Sequence, residues 1–484
     1  MKKYIKKILL KKHQIISIFF LAAFTSSALI IYTPKYNWHN QQRVMQLFFV
    51  ATCSIYYLLK IKKIEFNGLS SIAFIFSLGL VSCVLSSQTA WALKEWALYL
   101  GLFLTILATY HLSKKHKALY ESVFYIALIT GFLLASQFII YYTSAFISGV
   151  KNLDPGLLFP GFDNPRFLAQ FQIILIPLLA SLHPHLKTQS QTLGNAILAT
   201  LTVHWCIAYT LGGRGFFAGI FFANLIACLI IRSEKKVIIT QLKTAIIGFL
   251  LYACLLKIIP WILGVSNTEN WGYSPLRADL TGRGTLWKSA WESALSHPFF
   301  GLGPMGLASN PNTIAAHPHQ ALLQWLAEWG APATMATCIL TISAGYHYIA
   351  ALKKRTPGNL EKGAIVALLG AVALSQVDGV VVMPYIQTWL ALLVGILMAK
   401  HPQEPKPPPR KNLIRIIKAY ALFSVIIITK IIILEAPTVP ESEEHYYKIH
   451  IDGPKPRFWS QGWTTEPHQT QQSEANHGYK NTQD

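Results

Sequence analysis

Residues 277–330, RADLTGRGTLWKSAWESALSHPFFGLGPMGLASNPNTIAAHPHQALLQWLAEWG, form the longest interruption in a chain that otherwise consists of successive apolar runs. Hydrophobic residues make up 52% of the sequence and charged residues only 13%, which excludes a soluble globular protein of ordinary composition. A helix that crosses the hydrocarbon core needs about 20 apolar residues, so we expect an all-α, polytopic integral membrane protein with about 12–13 transmembrane helices. A large polar loop with short helices interrupts them.

Positive charge distinguishes the two sides of the membrane. Lysine and arginine concentrate in every second connection, as the positive-inside rule requires of cytoplasmic loops. The lysine-rich N-terminus is therefore cytoplasmic. The connections around Asn164, Arg214 and Asp378, the large loop (residues 264–330) and the C-terminal tail lie on the other side. We expect a multi-pass protein of the bacterial inner (cytoplasmic) membrane with a periplasmic large loop. The predicted helices begin near Gln14, Val44, Ser70, Trp91, Leu119, Phe167, Asn195, Phe216, Gln241, Ala331, Gly363, Tyr385 and Leu413.

The net charge of +21 raises the question of a nucleic-acid partner. Most of the positive charge lies in the short alternating connections, so membrane topology explains it and no nucleic-acid binding is predicted. Membrane lipids are the expected surroundings. All six cysteines fall inside apolar segments, which argues against a disulfide framework in the outer loops.

Two short helices are predicted inside the large loop. The first runs through Trp287, Trp291 and Leu295, which share one face at i, i+4 and i+8 spacing, and it ends at the His297-Pro298 pair. Packing of this face against the bilayer is the expected role. The second runs from His319 through Trp329. Its polar side carries Gln320, Gln324 and Glu328.

Four arginines are predicted to face the same side of the membrane. An arginine at a membrane boundary often only reaches for lipid headgroups. Several guanidinium groups around one site, however, match the paired phosphates of a diphosphate bidentately. The group consists of Arg166 in FDNPR, Arg214 in GGRG, Arg277 and Arg283.

His319 is the candidate general base or proton shuttle, because an imidazole titrates near neutral pH. A lone histidine in a loop is more often structural, but His317, the intervening Pro318 and the arginines of the same loop favour a functional role. Asp163 and Asp378 are possible partners of an arginine, with structural pairing the favoured role. We therefore predict His319, Arg214 and Arg283 as catalytic residues. The predicted substrate-binding residues are Arg166, Arg277, His317, Gln320 and Asp378.

No metal or cofactor is predicted. The HxH pattern lacks a third histidine or paired carboxylate nearby, and no DxD motif occurs. Phosphate-binding loops, serine-hydrolase elbows and zinc-protease helices are also missing from the sequence. The substrate must then supply the energy, as a diphosphate leaving group does.

The chain divides into two parts by composition. Residues 1–435 form the polytopic membrane domain with the large loop as its periplasmic catalytic element. Residues 436–484 form a polar periplasmic tail that is expected to be partly disordered. Within this tail, PRFWSQGW (residues 456–463) carries aromatic residues whose rings are expected at the membrane interface.

These motifs resemble those of the O-antigen ligase superfamily, which includes lipid A-core O-antigen ligases, Wzy-type polymerases and bacterial protein O-oligosaccharyltransferases. The family's histidine motif matches with its last glycine replaced by alanine, and the arginine motif, Arg214 and FDNPRFLAQFQ are similar to family segments. The resemblance covers Phe162 to Gly330. The matching positions are His319, Gln320, Gly330 and Ala333, and Arg283, Trp287, Trp291, Pro298, Gly301 and Gly303.

The resemblance implies a glycosyltransferase that moves a glycan en bloc from undecaprenyl diphosphate to a hydroxyl, with arginines at the diphosphate and His319 activating the acceptor. VDGVVVMPYIQ and PRFWSQGW are similar to segments of the pilin-glycosylating type, so a Ser or Thr of a pilin-like protein is the favoured acceptor. Lipid A-core ligation and polymerisation remain alternatives. A flippase for lipid-linked glycans is a further alternative, although transporters place their polar residues at the membrane midplane.

Overall fold

The computed structural model describes residues 18–60, 68–159, 161–231, 235–267, 282–309, 314–401, 411–449 and 455–464. Within these ranges the protein is all-α, apart from one parallel pair of two-residue strands, β1 (Asn152–Leu153) and β2 (Ser266–Asn267). The helices are α1 (Ile18–Ala28), α2 (Trp38–Lys60), α3 (Leu69–Leu85), α4 (Thr89–Lys115), α5 (Lys117–Ile147), α6 (Pro165–Leu186), α7 (Gln191–Leu211), α8 (Arg214–Ile230), α9 (Lys236–Ala253), α10 (Ile259–Ile262), α11 (Arg283–Ser296), α12 (Ala321–Leu352), α13 (Asn359–Leu374), α14 (Pro384–Lys400), α15 (Lys411–Lys430) and α16 (Val439–Ile449).

The chain is a polytopic membrane protein. Each of the thirteen predicted segments coincides with one helix among α1–α9 and α12–α15. Of the described helices, six are long and apolar enough to cross a membrane: α4, α5, α6, the continuous run Lys236–Ile262, α12 and the run Lys411–Lys448. Shorter apolar helices, including α3, α8 and α14, accompany them. The fold class predicted from composition and hydropathy is confirmed.

Helix α6 lies in the middle of the bundle and packs closely on α13. Ile173, Leu175 and Leu179 on α6 are completely buried. Small residues on α13 allow the close approach. A Cβ added at Gly363 would lie 2.4 Å from the Cβ of Ser181 on α6. This contact fixes the start of α13 against the end of α6, and the antiparallel packing brings the end of α13 back to the start of α6, where Arg166 lies.

The two predicted loop helices are present, with one difference. The first is α11, and its Trp291 and Leu295 are exposed, in keeping with a face directed at the bilayer. The second begins at Ala321 and does not end at the edge of the large loop. It continues as α12 to Leu352, so the predicted loop helix and the next membrane helix form one interrupted helix.

Helix α12 is broken at Gly330, whose φ of 78° and ψ of 167° are not helical. Pro332 follows, and because proline has no N–H, the carbonyl of Glu328 loses its partner within the helix. In an apolar bundle every such group needs another partner. The N–H of Gly303 supplies it at 3.0 Å, and the Ser82 hydroxyl adds a second donor at 3.1 Å.

The same loop segment satisfies the other backbone groups at the break. The N–H of Leu302 donates to the carbonyl of Ala327 at 2.9 Å, and the N–H of Ala331 donates to the carbonyl of Pro298 at 2.8 Å. Residues 298–303 are thereby locked onto the middle of α12. Since this segment directly follows α11, the break in α12 determines where α11 lies.

The described end of the C-terminal tail packs into the protein and is not a separate polar extension. Residues 455–464 pack inside the bundle, and Phe458 and Trp459 are each only 2% exposed. These rings were expected at the membrane interface, but they lie in the protein core. Phe458 packs between Arg43 on α2 and Trp91 on α4. The predicted disorder concerns residues 465–484, which lie outside the described residues.

Replacing Gly330 with alanine is expected to destabilise the protein strongly. A Cβ there would lie 2.3 Å from the Phe299 carbonyl oxygen, and the left-handed φ adds backbone strain of about 1–3 kcal/mol. Gly345→Ala is the matched control, because Gly345 lies on the same helix with nothing within 4 Å of the added Cβ. The thermal midpoints of both variants in detergent test this, and equal midpoints would contradict it.

Candidate functional site

His319 lies between the end of the large loop and the first turn of α12. Its φ is +56°, a left-handed conformation that is uncommon outside glycine. Its Nδ1 lies 3.5 Å from Oδ1 of Asp378, an ion-pair distance without a hydrogen bond, and the two side chains are 18% and 15% exposed. The structure therefore brings together two predicted site residues that are 59 positions apart in the chain, since 378 − 319 = 59.

Asp378 is held in place by further donors. Its Oδ1 accepts hydrogen bonds from Nε2 of Gln170 at 2.9 Å and from the N–H of Gly379 at 2.8 Å. Burial alone would raise the pKa of the Asp378 carboxyl. His319, the Gly379 N–H and the charge of Arg166 outweigh burial, so the pKa lies below its usual value. Asp378 is thus a carboxylate at neutral pH.

His317 supports the backbone of His319. It is only 4% exposed, and its Nδ1 lies 3.3 Å from the N–H of His319, from which it accepts. The two rings are in edge contact, with centroids 4.2 Å apart. Burial, followed by the charges of His319, Arg457 and His39, lowers the pKa of His317 well below 6.5. His317 is therefore a neutral structural support.

Helix α11 places Arg283 near the two histidines. Arg283 is the first residue of this helix and is half-buried. One turn later, Nε1 of Trp287 donates to the carbonyl of Pro318 at 2.9 Å. Residues at i and i+4 share a helix face, so Arg283 lies on the side of α11 that faces the His317–His319 segment.

Arg214 is the first residue of α8, and its side chain is exposed. Its two glycine neighbours show where it lies. Gly213 packs against Ala169 near the start of α6, and Gly215 packs against Val377 just after α13. Ala169 precedes the glutamine that binds Asp378, and Val377 precedes Asp378 itself. The neighbours of Arg214 therefore lie beside the two segments that carry Gln170 and Asp378.

The remaining predicted cations and polar residues have clear positions, with one exception. Arg166 opens α6, is exposed, and its charge acts on Asp378. Gln320 caps α12 by accepting from the N–H of Leu323, and its Nε2 donates to Gln376 Oε1 at 3.1 Å. Arg277 lies outside the described residues.

Among the residues that the structure describes, no three His, Cys, Asp or Glu side chains form a cluster that could hold a metal ion.

Comparison with known proteins gives one family match. Residues 197–338 match the family model described as O-antigen ligase, a range that includes Arg214, Arg283 and His319. The match supports membership of the O-antigen ligase superfamily. It also supports a glycosyl-transferring membrane enzyme of the ligase type with a lipid-linked glycan as donor. No curated protein matches the chain.

The residues that complete the histidine site were not identified from the sequence. The notable one is Gln170, because a glutamine within an apolar helix signals a buried polar contact. Asp378 was expected to pair with an arginine; the charge of Arg166 acts on its carboxylate, and Nδ1 of His319 lies 3.5 Å from its Oδ1. Asp163 instead accepts from the backbone N–H groups of Trp38 and His39 at 2.9 and 2.6 Å, which confirms its structural role.

His317 should make the stability of the protein depend on pH. Below pH 6.5 the unfolded chain binds a proton at this residue that the folded protein does not bind. The stabilisation is complete above pH 6.5 and is lost as pH falls below it, by up to about 1.4 kcal/mol per pH unit. Thermal midpoints measured from pH 7 to pH 5 should fall in the wild type and in the exposed control His347→Gln, and clearly less in His317→Gln. Identical pH dependence in all three proteins would contradict the assignment.

Proposed function

We propose that the protein transfers a glycan en bloc from undecaprenyl diphosphate to an acceptor hydroxyl at the periplasmic face of the inner membrane. The observation that carries the proposal is the His319–Asp378 pair, placed among connections that carry exposed arginines. A carboxylate that fixes an imidazole, beside cations suited to a diphosphate, is what a metal-independent transfer to a hydroxyl requires.

His319 is the proposed general base. The Asp378 carboxylate, 3.5 Å from Nδ1, favours the tautomer that carries its proton on Nδ1 and leaves a lone pair on Nε2. Nε2 takes the proton of the acceptor hydroxyl while the hydroxyl oxygen attacks the anomeric carbon of the glycan. The new carbon–oxygen bond replaces the bond to phosphate, and polyprenyl diphosphate leaves with the electron pair.

The arginines are the proposed binding site of the diphosphate. Negative charge grows on the leaving phosphate in the transition state, and guanidinium groups stabilise it through paired hydrogen bonds. Arg214 and Arg283 approach from α8 and α11, and Arg166 approaches from α6. Arg277 is proposed as a further donor-binding residue from the sequence alone. Gln320 is assigned to the same surface because it caps α12 directly after His319.

A Ser or Thr of a pilin-like protein is the proposed acceptor. Support comes from two segments that resemble those of the pilin-glycosylating type. One is VDGVVVMPYIQ, which contains Asp378, and the other is PRFWSQGW, whose Gly462 lies against Ala316 next to His317. Ligation to lipid A-core and polymerisation of repeat units use the same chemistry with a different hydroxyl. An acceptor competition in one assay, with pilin, lipid A-core and free repeat unit supplied together, separates the three.

His319→Gln should lower kcat by about 10²–10⁴-fold, because the proton acceptor is lost. Asp378→Asn should lower it by about 10–100-fold, because the imidazole loses the partner that fixes its orientation. Lys288→Gln, an exposed charge on α11 at 79% side-chain exposure, is the control and should retain wild-type activity. Glycan transfer is measured with purified donor and acceptor. Undiminished transfer by His319→Gln would remove the general-base role.

Glycan transfer should also continue in the presence of a chelator and depend on the planar guanidinium group of Arg214. Arg214→Lys keeps the charge but loses bidentate phosphate binding, so it should lower kcat/KM for the lipid donor by at least about tenfold.

Reactions with excess EDTA should run at the wild-type rate. Loss of activity in EDTA that returns with a divalent cation would refute the metal-independent mechanism. Movement of donor across a liposome membrane without a covalent product would instead favour a flippase.

A further inference from the structure

The C-terminal clamp, residues 455–464, is more deeply buried than a polar tail would be. Arg457 is 1% exposed, Ser460 is fully buried, and Trp463 is 6% exposed. The N–H of Thr464 donates to the carbonyl of Ala308 in the large loop at 3.1 Å. The clamp therefore ends against the loop that leads to the histidines.

Arg457 joins two membrane helices through buried carboxylates. Its Nη2 lies 2.9 Å from both carboxylate oxygens of Glu95 on α4 and 2.5 Å from Oε2 of Glu328 on α12. With its amide oxygen turned toward the guanidinium, Gln324 accepts from Nη2 at 2.9 Å and from Nη1 at 3.2 Å. A buried guanidinium of this kind is expensive to desolvate and requires such partners.

Arg43 on α2 completes a buried group of four charges, two positive and two negative. Arg43 interacts electrostatically with Glu95 and Arg457. Its Nε donates to the carbonyl of Phe458 at 2.8 Å, and its Nη2 donates to the carbonyl of Val382 at 2.7 Å. Val382 lies four residues after Asp378. The charge group thus connects the clamp to the loop that carries Asp378 as well as to α12.

The contacts of Arg457 bear directly on His319. Gln324 and Glu328 belong to the polar side of α12, and Gln320 on the same side caps the helix directly after His319. A rotation or slide of α12 would move His319 relative to Asp378, which is attached to a different helix. Oε1 of Glu328 also accepts from the N–H of Leu307 at 3.2 Å and so anchors the large loop.

We infer that Arg457 is a positioning residue for the transfer reaction: by binding the polar side of α12 it holds His319 within reach of Asp378. This inference rests on the proposed function. Arg457 is too deeply buried to contact substrate, so its removal should affect the chemical step and leave donor binding almost unchanged.

The test compares Arg457→Lys, Arg457→Gln and the double variant Arg457→Gln/Glu328→Gln with the wild type. Lysine keeps the charge, so Arg457→Lys should fold, but its shorter side chain has one nitrogen and lacks the planar pair that also reaches Gln324 on α12. We expect its kcat, counted per folded molecule, to fall about tenfold with KM for the lipid donor within about twofold of wild type. Lys448→Gln, an exposed C-terminal charge, is the matched control and should behave as wild type.

The double variant separates positioning from stability. Arg457→Gln leaves two carboxylates against Arg43 alone and should lower the thermal midpoint, whereas the double variant restores the charge balance. We expect its midpoint to recover and its kcat to remain about tenfold or more below wild type. Recovery of kcat together with the midpoint, or full activity in Arg457→Lys, would overturn the inference. A wild type that transfers no glycan would instead refute the proposed function.

Discussion

The break in α12 is the constraint on which the site depends. Pro332 has no backbone N–H to donate within the helix. Gly330 adopts a non-helical conformation at a point where a side chain would clash with the Phe299 carbonyl. The carbonyl groups freed at the break require donors, and the backbone of a neighbouring segment supplies them. Residues 298–303 take that place, which fixes α11 and sets Trp287 on the carbonyl of Pro318. The position of the histidines thus follows from the need to satisfy the backbone groups at the break in α12.

A second constraint lies deeper, where four charges are buried together. Arg457 and Arg43 face Glu95 and Glu328, and each is at most 4% exposed. An ion pair of this kind often adds little net stability over a well-packed apolar core, yet removing one member is costly. Its value here is geometric. It allows one arrangement of α2, α4, α12 and the tail, and the histidine and its aspartate are attached to that frame.

The sequence predicts the helices well because an apolar run of spanning length has few alternatives in a membrane. It also identifies His319 and the arginines as candidates, since charge in an apolar protein stands out. It cannot predict that Asp378 lies beside His319, because that depends on how α6, α12 and α13 pack. Arg457 is harder still. Its neighbours in the chain are aromatic and indicate the membrane surface, whereas its partners lie more than a hundred residues away.

The site combines two kinds of surroundings. His317 and the core of the clamp are buried, and Asp378 is partly buried and hydrogen-bonded, which holds the proton-transfer atoms in a defined geometry. Arg166 and Arg214 are exposed at helix starts, where long side chains can adjust to a flexible lipid headgroup. Proton transfer tolerates little displacement, whereas diphosphate binding by several guanidinium groups tolerates more. In the proposed mechanism the rigid frame is therefore needed at the imidazole, and the exposed side is where an acceptor would approach.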